Sequence, residues 1–304
     1  MAAADRSSPP LIWVALGGLL LALVCAAPAH AQVASGPQGS EDGDLRQQRW
    51  LIPSPETGVT MRAIVLRPRG KGPFPLVVIN HGSTQSASRR AAAPLPTYDF
   101  ASRWFVEHGY AVVLPQRPGH GETGGPYLEN QGGCANADYR KAGLATAASI
   151  EAAVAYMRVQ PFVKKTGIIA VGQSAGGWGV LALASKNPRE VRAVINFAGG
   201  RGGRSYDKPH NNCAPDRLIA AARAFGTTAR IPTLWLYSAN DSFFGPDLSR
   251  RMAEAFRAGG GRADYRLLPA FGSDGHRLIE MREAVGAWSP IVQEFLARLR
   301  SRSD

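Results

Sequence analysis

Five short, continuous apolar runs constrain this chain more than any other feature: Leu76-Val77-Val78-Ile79, Ala111-Val112-Val113-Leu114, Ile168-Ile169-Ala170-Val171, Ala193-Val194-Ile195 and Leu234-Trp235-Leu236-Tyr237. Such runs are too short for buried helices, and being apolar at every position they must be covered on both faces, as strands of a parallel sheet are. Helix-length segments separate them. One carries Ala147, Ile150, Val154 and Met157 at helical spacing, a second covers 99–107 and stops at Gly109, a third follows Ser174, and a fourth covers 247–258 before Gly259. A closing helix is expected with Ser289 as N-cap, Pro290 at its first position and Val292, Phe295, Leu296 and Leu299 on one face. Alternating strands and helices predict an α/β fold: a mostly parallel sheet with helices on both faces and function at the carboxyl ends of the strands.

Ahead of this pattern, residues 49–52 and 59–66, separated by Pro53, Pro55 and Gly58, read as two antiparallel strands. Residues 32–47, rich in Gly, Ser, Gln and acids, read as a flexible leader into a single domain over 48–304. Residues 199–230 interrupt the rhythm with Gly199-Gly200-Arg201-Gly202-Gly203-Arg204, Cys213 and a short helix, and are expected to form a small cap or lid over the strand ends.

The first 31 residues read as an address. Arg6 precedes an apolar run over 11–24, and Ala29-His30-Ala31 supplies a small-residue cleavage site, so cleavage is expected after Ala31. The run falls short of the roughly 18–20 residues a membrane span needs. Lipid attachment at Cys25 is disfavoured by the preceding Ala22-Leu23-Val24. Export to a periplasm or out of the cell would leave two cysteines, Cys134 and Cys213, in an oxidising compartment, where one disulfide is expected rather than two free thiols. The formal charge of +12 is almost all arginine, scattered without a basic stripe, which excludes a recognisable nucleic-acid module. His81, His108, His120, His210 and His276 are dispersed and match no metal-ligand spacing, and no cofactor is expected.

Chemistry concentrates at Gly172-Gln173-Ser174-Ala175-Gly176-Gly177, directly after one apolar run and before an apolar helix. A strand-to-helix turn this sharp needs very small residues two before and two after the serine, and it displays the hydroxyl at a helix N-terminus. Ser174 is therefore the candidate nucleophile. A serine hydroxyl needs a neighbouring base, and His276, in Gly272-Ser273-Asp274-Gly275-His276 just before the closing helix, is placed to supply it. Asp241, on the loop after the run at 234–237, is the expected orienting acid, with Asp247 and Asp274 as rivals. A developing oxyanion would be held by the backbone N–H of Ala175 and by a second donor in Asn80-His81-Gly82-Ser83-Thr84, Ser83 before Thr84. His81 reads as a loop-holding hydrogen-bonding residue, and Arg117-Pro118-Gly119-His120-Gly121 as a structural turn lacking the lysine of a phosphate loop. Trp178, Phe243 and Phe244 are candidate apolar walls of a substrate pocket, with ordinary core packing the equal alternative for Trp178.

With these motifs in place, residues 75–299 resemble the α/β-hydrolase superfamily, and within it the dienelactone-hydrolase-like and prolyl-oligopeptidase-like serine hydrolases. His81-Gly82, the turn at 117–121, Gly172 to Gly176, Asn240-Asp241 and Asp274-Gly275-His276 fall in the order those families use. The resemblance implies a serine hydrolase acting on carboxylic esters of small molecules. Dienelactone hydrolase itself carries cysteine where this chain has Ser174, so a dienelactone substrate is not implied. A peptidase of short peptides and a non-catalytic binding protein on the same fold are the alternatives.

Overall fold

The computed structural model describes Met1, Ala2 and residues 34–300, apart from the Arg300 side chain, so the expected signal peptide lies outside the described residues. Among the described residues nine strands form one sheet: β1 (Gly36–Asp42), β2 (Gln47–Pro53), β3 (Thr60–Leu66), β4 (Leu76–Asn80), β5 (Ala111–Pro115), β6 (Ile168–Gln173), β7 (Val191–Phe197), β8 (Thr233–Ser238) and β9 (Ala263–Leu268). Their order is β1-β2-β3-β5-β4-β6-β7-β8-β9. The first three strands and β5 pair antiparallel, and every pairing from β5 onward is parallel. All five apolar runs are strands.

Alternation within each run divides the core in two. Leu76, Val78, Ala111, Val113, Ile168, Ala170, Trp235 and Tyr237 belong to one cluster. Their neighbours Val77, Ile79, Val112, Leu114, Ile169, Val171, Leu234 and Leu236 belong to the other, as a period of two requires. The α-helices of the described residues are α1 (Ala87–Ala91), α2 (Asp99–Glu107), α3 (Tyr139–Met157), α4 (Ala175–Lys186), α5 (Pro215–Thr228), α6 (Pro246–Ala258) and α7 (Val285–Arg300). Helices α3 to α6 cover the first face through residues such as Ile150, Leu181, Phe225 and Phe256. Helices α2 and α7 cover the second through Trp104, Phe105, Trp288 and Phe295.

Three expectations are corrected. The segment read as a flexible leader contains β1, an edge strand antiparallel to β2 with Pro37 opposite Trp50. Its side chains are nearly all exposed, so it has no apolar alternation to read; backbone pairing and the ion pairs of Glu41 with Arg46 and Arg67 hold it. The closing helix begins at Val285, leaving Pro290 inside it instead of at its first position. The earlier start buries Trp288 completely against Trp104 and Phe197, while Pro290, one turn in, forfeits a single backbone donor. Of the expected cap, only the loop over 199–214 lacks a helical layer to join. Helix α5 is part of the sheet covering, packed so close to α6 that a Cβ on Gly226 would lie 2.0 Å from the carbonyl oxygen of Phe256. Cys134 and Cys213 form a disulfide, with Cα atoms 5.1 Å apart, that joins the loop ahead of α3 to the loop ahead of α5. Among the described residues no helix is long and apolar enough to cross a membrane.

Trp288 stands where α2, α7 and β7 meet, so Trp288→Ala is expected to lower unfolding free energy by about 3–5 kcal/mol in urea titrations. A loss below about 1 kcal/mol would contradict this packing account.

Candidate active site

Strand β6 ends at Gln173 and α4 begins at Ala175, so one residue, Ser174, makes the whole reversal. Its φ of 54° and ψ of −120° lie outside the regions an L-residue prefers, a strain of about 1–3 kcal/mol that the surroundings must enforce. Glycine on both sides makes the turn sterically possible. A Cβ on Gly172 would lie 2.3 Å from the carbonyl oxygen of Gly176, and a Cβ on Gly176 would lie 2.1 Å from that of Asn80. The Ser174 N–H donates to the carbonyl of Phe197 (3.0 Å), and its own carbonyl accepts from Trp178 (2.9 Å) and Gly200 (3.1 Å). The hydroxyl has no hydrogen-bond partner among the described residues, and the side chain reaches the cavity described below.

Asp241 follows β8 by three residues and is fully buried. Its Oδ1 accepts from the N–H groups of Phe243 (2.8 Å) and Phe244 (2.9 Å) and lies 3.1 Å from His276 Nδ1. A carboxylate held by backbone donors accepts, so the imidazole proton sits on Nδ1 and Nε2 keeps its lone pair. Phe243 stacks on the imidazole at 4.0 Å between centroids. Gln173 Nε2 donates to the His276 carbonyl at 3.1 Å, tying the histidine loop to the residue before Ser174.

The two rival acids have other tasks. Asp274 accepts from the N–H groups of Ser242 and His276, both at 3.0 Å, and from the Ser242 hydroxyl at 2.6 Å, so it fixes the backbone of the two loops. Burial opposes its ionisation, but these hydrogen bonds prevail and hold its carboxyl below the usual value. Asp247 is exposed and pairs with Arg250.

A cavity of about 430 Å³ opens on Ser174 and is lined by Ser83, Thr84, Ala175, Phe243 and Phe244, as well as by the loop residues 200–207 and the disulfide. The N–H groups of Ser83 and of Ala175, the first residue of α4, have no acceptor among the described residues. Trp178 does not belong to this wall. It is wholly buried, donating Nε1–H to the Tyr139 carbonyl of α3 at 2.7 Å and packing on Phe225 of α5, so its side chain fills the core between these helices. The loop over 199–214 is stitched to the acid loop: His210 N–H donates to the Ser242 carbonyl (2.7 Å), Arg204 to the Ser242 hydroxyl (3.1 Å) and Asn212 to the Phe243 carbonyl (2.5 Å). Among the described residues no cluster of three or more His, Cys, Asp or Glu side chains is arranged to hold a metal ion.

The model of the dienelactone hydrolase family matches residues 61–295. The chain belongs to the dienelactone hydrolase family. Solved structures similar to this hydrolase include Est1E from Butyrivibrio proteoclasticus, with 16% identity and a TM-score of 0.53 over 83% of this chain and 99% of that one. The Pyrococcus furiosus esterase Pf2001 has 16% identity and a TM-score of 0.58 over 84% and 93%. The Pyrococcus horikoshii acylaminoacyl peptidase has 15% identity and a TM-score of 0.56 over 86% of this chain but only 41% of its own. At such identities the likeness is one of fold, the α/β-hydrolase fold. No curated protein matches the sequence.

One part of this hydrolase was not foreseen. Arg201, read only as part of the glycine-rich stretch of the expected cap, is buried beside Glu129 and Arg117 in an ion cluster at the cavity wall. Burial raises the cost of charging Glu129, yet the two guanidiniums hold its carboxyl far below the usual range. The clue in the sequence was an isolated arginine and an isolated glutamate 72 residues apart, which spacing alone cannot pair. Two histidines adjoin the cluster. His81 donates Nδ1–H to the Gly82 carbonyl (2.6 Å) and accepts the Arg117 N–H on Nε2 (3.1 Å), as expected of a loop-holding residue. Burial first, and then the charge of Arg117, push His81 well below its ordinary value and His120 down to about 4.

The sign of the His120 effect follows from proton uptake. Below about pH 6.5 the unfolded chain binds a proton on His120 that the folded chain refuses until about pH 4, so acid favours unfolding across that window. Wild-type stability is expected to fall between pH 7 and pH 5, and the fall is expected to be about 2 kcal/mol smaller in His120→Gln, measured by urea midpoints. Equal pH slopes in the two proteins would contradict a neutral, buried His120.

Proposed function

We propose that the protein is an exported serine hydrolase that cleaves carboxylic esters of small molecules through an acyl-enzyme. The observation that carries this reading is the 3.1 Å contact between buried Asp241 and His276 Nδ1, with the histidine loop hydrogen-bonded to the residue preceding a strained, cavity-facing Ser174. Asp241 fixes the tautomer that leaves His276 Nε2 free to take the Ser174 proton as the hydroxyl attacks the ester carbonyl. The tetrahedral oxyanion is held by the Ala175 and Ser83 N–H groups, with the N-terminus of α4 adding its dipole. His276 returns the proton to the leaving alkoxide, and a water activated by the same nitrogen then releases the acid.

A cavity of about 430 Å³, with Phe243 and Phe244 on one side and the loop over 199–214 on another, suits a small ester. Short peptides are the second reading, favoured by the likeness in fold to a peptidase. Export rests on the N-terminal leader, with cleavage after Ala31, and on the Cys134–Cys213 disulfide, which an oxidising compartment would preserve.

Initial rates of purified residues 32–304 on nitrophenyl esters of increasing acyl length, and on a peptide amide, test the reading. Ser174→Ala and His276→Ala are each expected to lower ester kcat by about 10³-fold or more, and Asp241→Asn by a comparable factor. Near-normal turnover in Ser174→Ala would overturn the assignment. Faster cleavage of the amide than of any ester would select the peptidase.

A further inference from the structure

We propose that Tyr127 and Arg201 are positioning residues for the oxyanion site, acting through a hydrogen-bond chain of fixed direction that ends on Ser83 and His120. This rests on the reading above in which the Ser83 N–H binds the oxyanion. The peptide unit between Gly82 and Ser83 is the object held. Because a trans peptide points its C=O and N–H in opposite directions, whatever grips the Gly82 oxygen also aims the Ser83 N–H. His81 Nδ1 grips that oxygen at 2.6 Å, and the backbone N–H of Arg117 holds the far side of the His81 ring at 3.1 Å.

The other end of the same unit is anchored by the Ser83 side chain. Its hydroxyl lies 2.8 Å from His120 Nε2 and 3.2 Å from the Tyr127 hydroxyl. His120 Nδ1 faces the carbonyl oxygens of Arg117 (3.2 Å) and Pro118 (3.1 Å), which only accept, so Nδ1 carries the proton and Nε2 is an acceptor. Ser83 must therefore donate to His120. With its one proton committed, Ser83 Oγ accepts from the Tyr127 hydroxyl, and the Tyr127 oxygen in turn accepts from Arg201 Nη1 at 3.1 Å. Every link has one permitted direction.

Arg201 makes the chain rigid. Its remaining Nη hydrogens go to the Glu129 carboxylate, the Glu129 carbonyl (3.1 Å) and the Thr146 hydroxyl (3.0 Å), while Nε–H has no partner among the described residues, and its side chain is only 2% exposed. The same Glu129 carboxylate is gripped by Arg117, whose backbone holds His81. One buried ion cluster thus fixes the Gly82–Ser83 peptide from both ends. The Ser83 hydroxyl, occupied as donor and acceptor, is not itself a ligand for substrate, although Ser83 lines the cavity.

The test is steady-state kinetics on nitrophenyl acetate with residues 32–304, comparing wild type, Tyr127→Phe, Ser83→Ala, Ser83→Thr and the Tyr127→Phe/Ser83→Ala pair. Affinity for a trifluoromethyl ketone, whose adduct with the serine carries an oxyanion, is measured alongside. Tyr127→Phe and Ser83→Ala are each expected to lower kcat about 5- to 20-fold with KM within about twofold, less than outright loss of an oxyanion donor. The ketone is expected to bind more weakly by the same factor as kcat/KM. Ser83→Thr, which keeps the hydroxyl, should restore most of the rate, and the pair should lose no more than the worse single variant because both break one chain. The proposal is overturned if Tyr127→Phe raises KM at unchanged kcat, if the two losses multiply, or if ketone affinity stays at the wild-type level. Should Tyr127→Phe fail to fold, Ser83→Ala against Ser83→Thr reads the same link. Retained activity in Ser174→Ala would instead refute the underlying reading of the site.

Discussion

The backbone of Gly176 passes so near the carbonyl of Asn80 that no side chain fits between them, and the position of the rest of the site depends on this contact. It brings the end of β4, the end of β6 and the first turn of α4 to one point, so Ser174 is left as the single residue that reverses the chain. The strain in Ser174 persists because two buried core clusters pin the strand and the helix on either side of it. The same contact sets the loop after β4, carrying His81, Gly82 and Ser83, beside Ser174: a Cβ on Gly82 would lie 3.3 Å from that of Ser174.

Charge is placed around this point with equal economy. Asp241 is the buried carboxylate that meets the imidazole, and it is held by two backbone N–H groups of its own loop. The larger buried charge, the Arg117–Glu129–Arg201 cluster, reaches the cavity wall through Arg201 and makes no hydrogen bond to Ser174, Asp241 or His276 among the described residues. Replacing such a cluster by apolar residues often leaves stability unchanged or improved, so its part here is read from what it orients rather than from stability. Here it orients the loop that follows β4.

Most of the architecture was legible in the sequence because its physics is local. Each parallel strand is apolar at every position, and each flanking helix carries its own 3.6-residue period. The strand-to-helix turn at Ser174 was legible because Gly172 and Gly176 are steric requirements at fixed spacing from it. Strand β1 was hidden because an exposed edge strand held by backbone pairing leaves no apolar signature. The start of α7 was hidden because burial of Trp288 outweighs the usual place of Pro290. Between pocket wall and core, the sequence left Trp178 open, because the direction of its side chain is set by the packing of α4 on α3 and α5. Arg201 and Tyr127 were invisible for a different reason: their partners are distant in sequence and meet them only through the fold.

The central claim is that Ser174 is a nucleophile activated by its surroundings. The most direct measurement is labelling of purified residues 32–304 with a fluorophosphonate, followed by mass mapping of the modified peptide. The account predicts one adduct per chain, on Ser174, formed far more slowly in Asp241→Asn. An adduct on another serine, or no adduct in a protein that turns over ester, would contradict it.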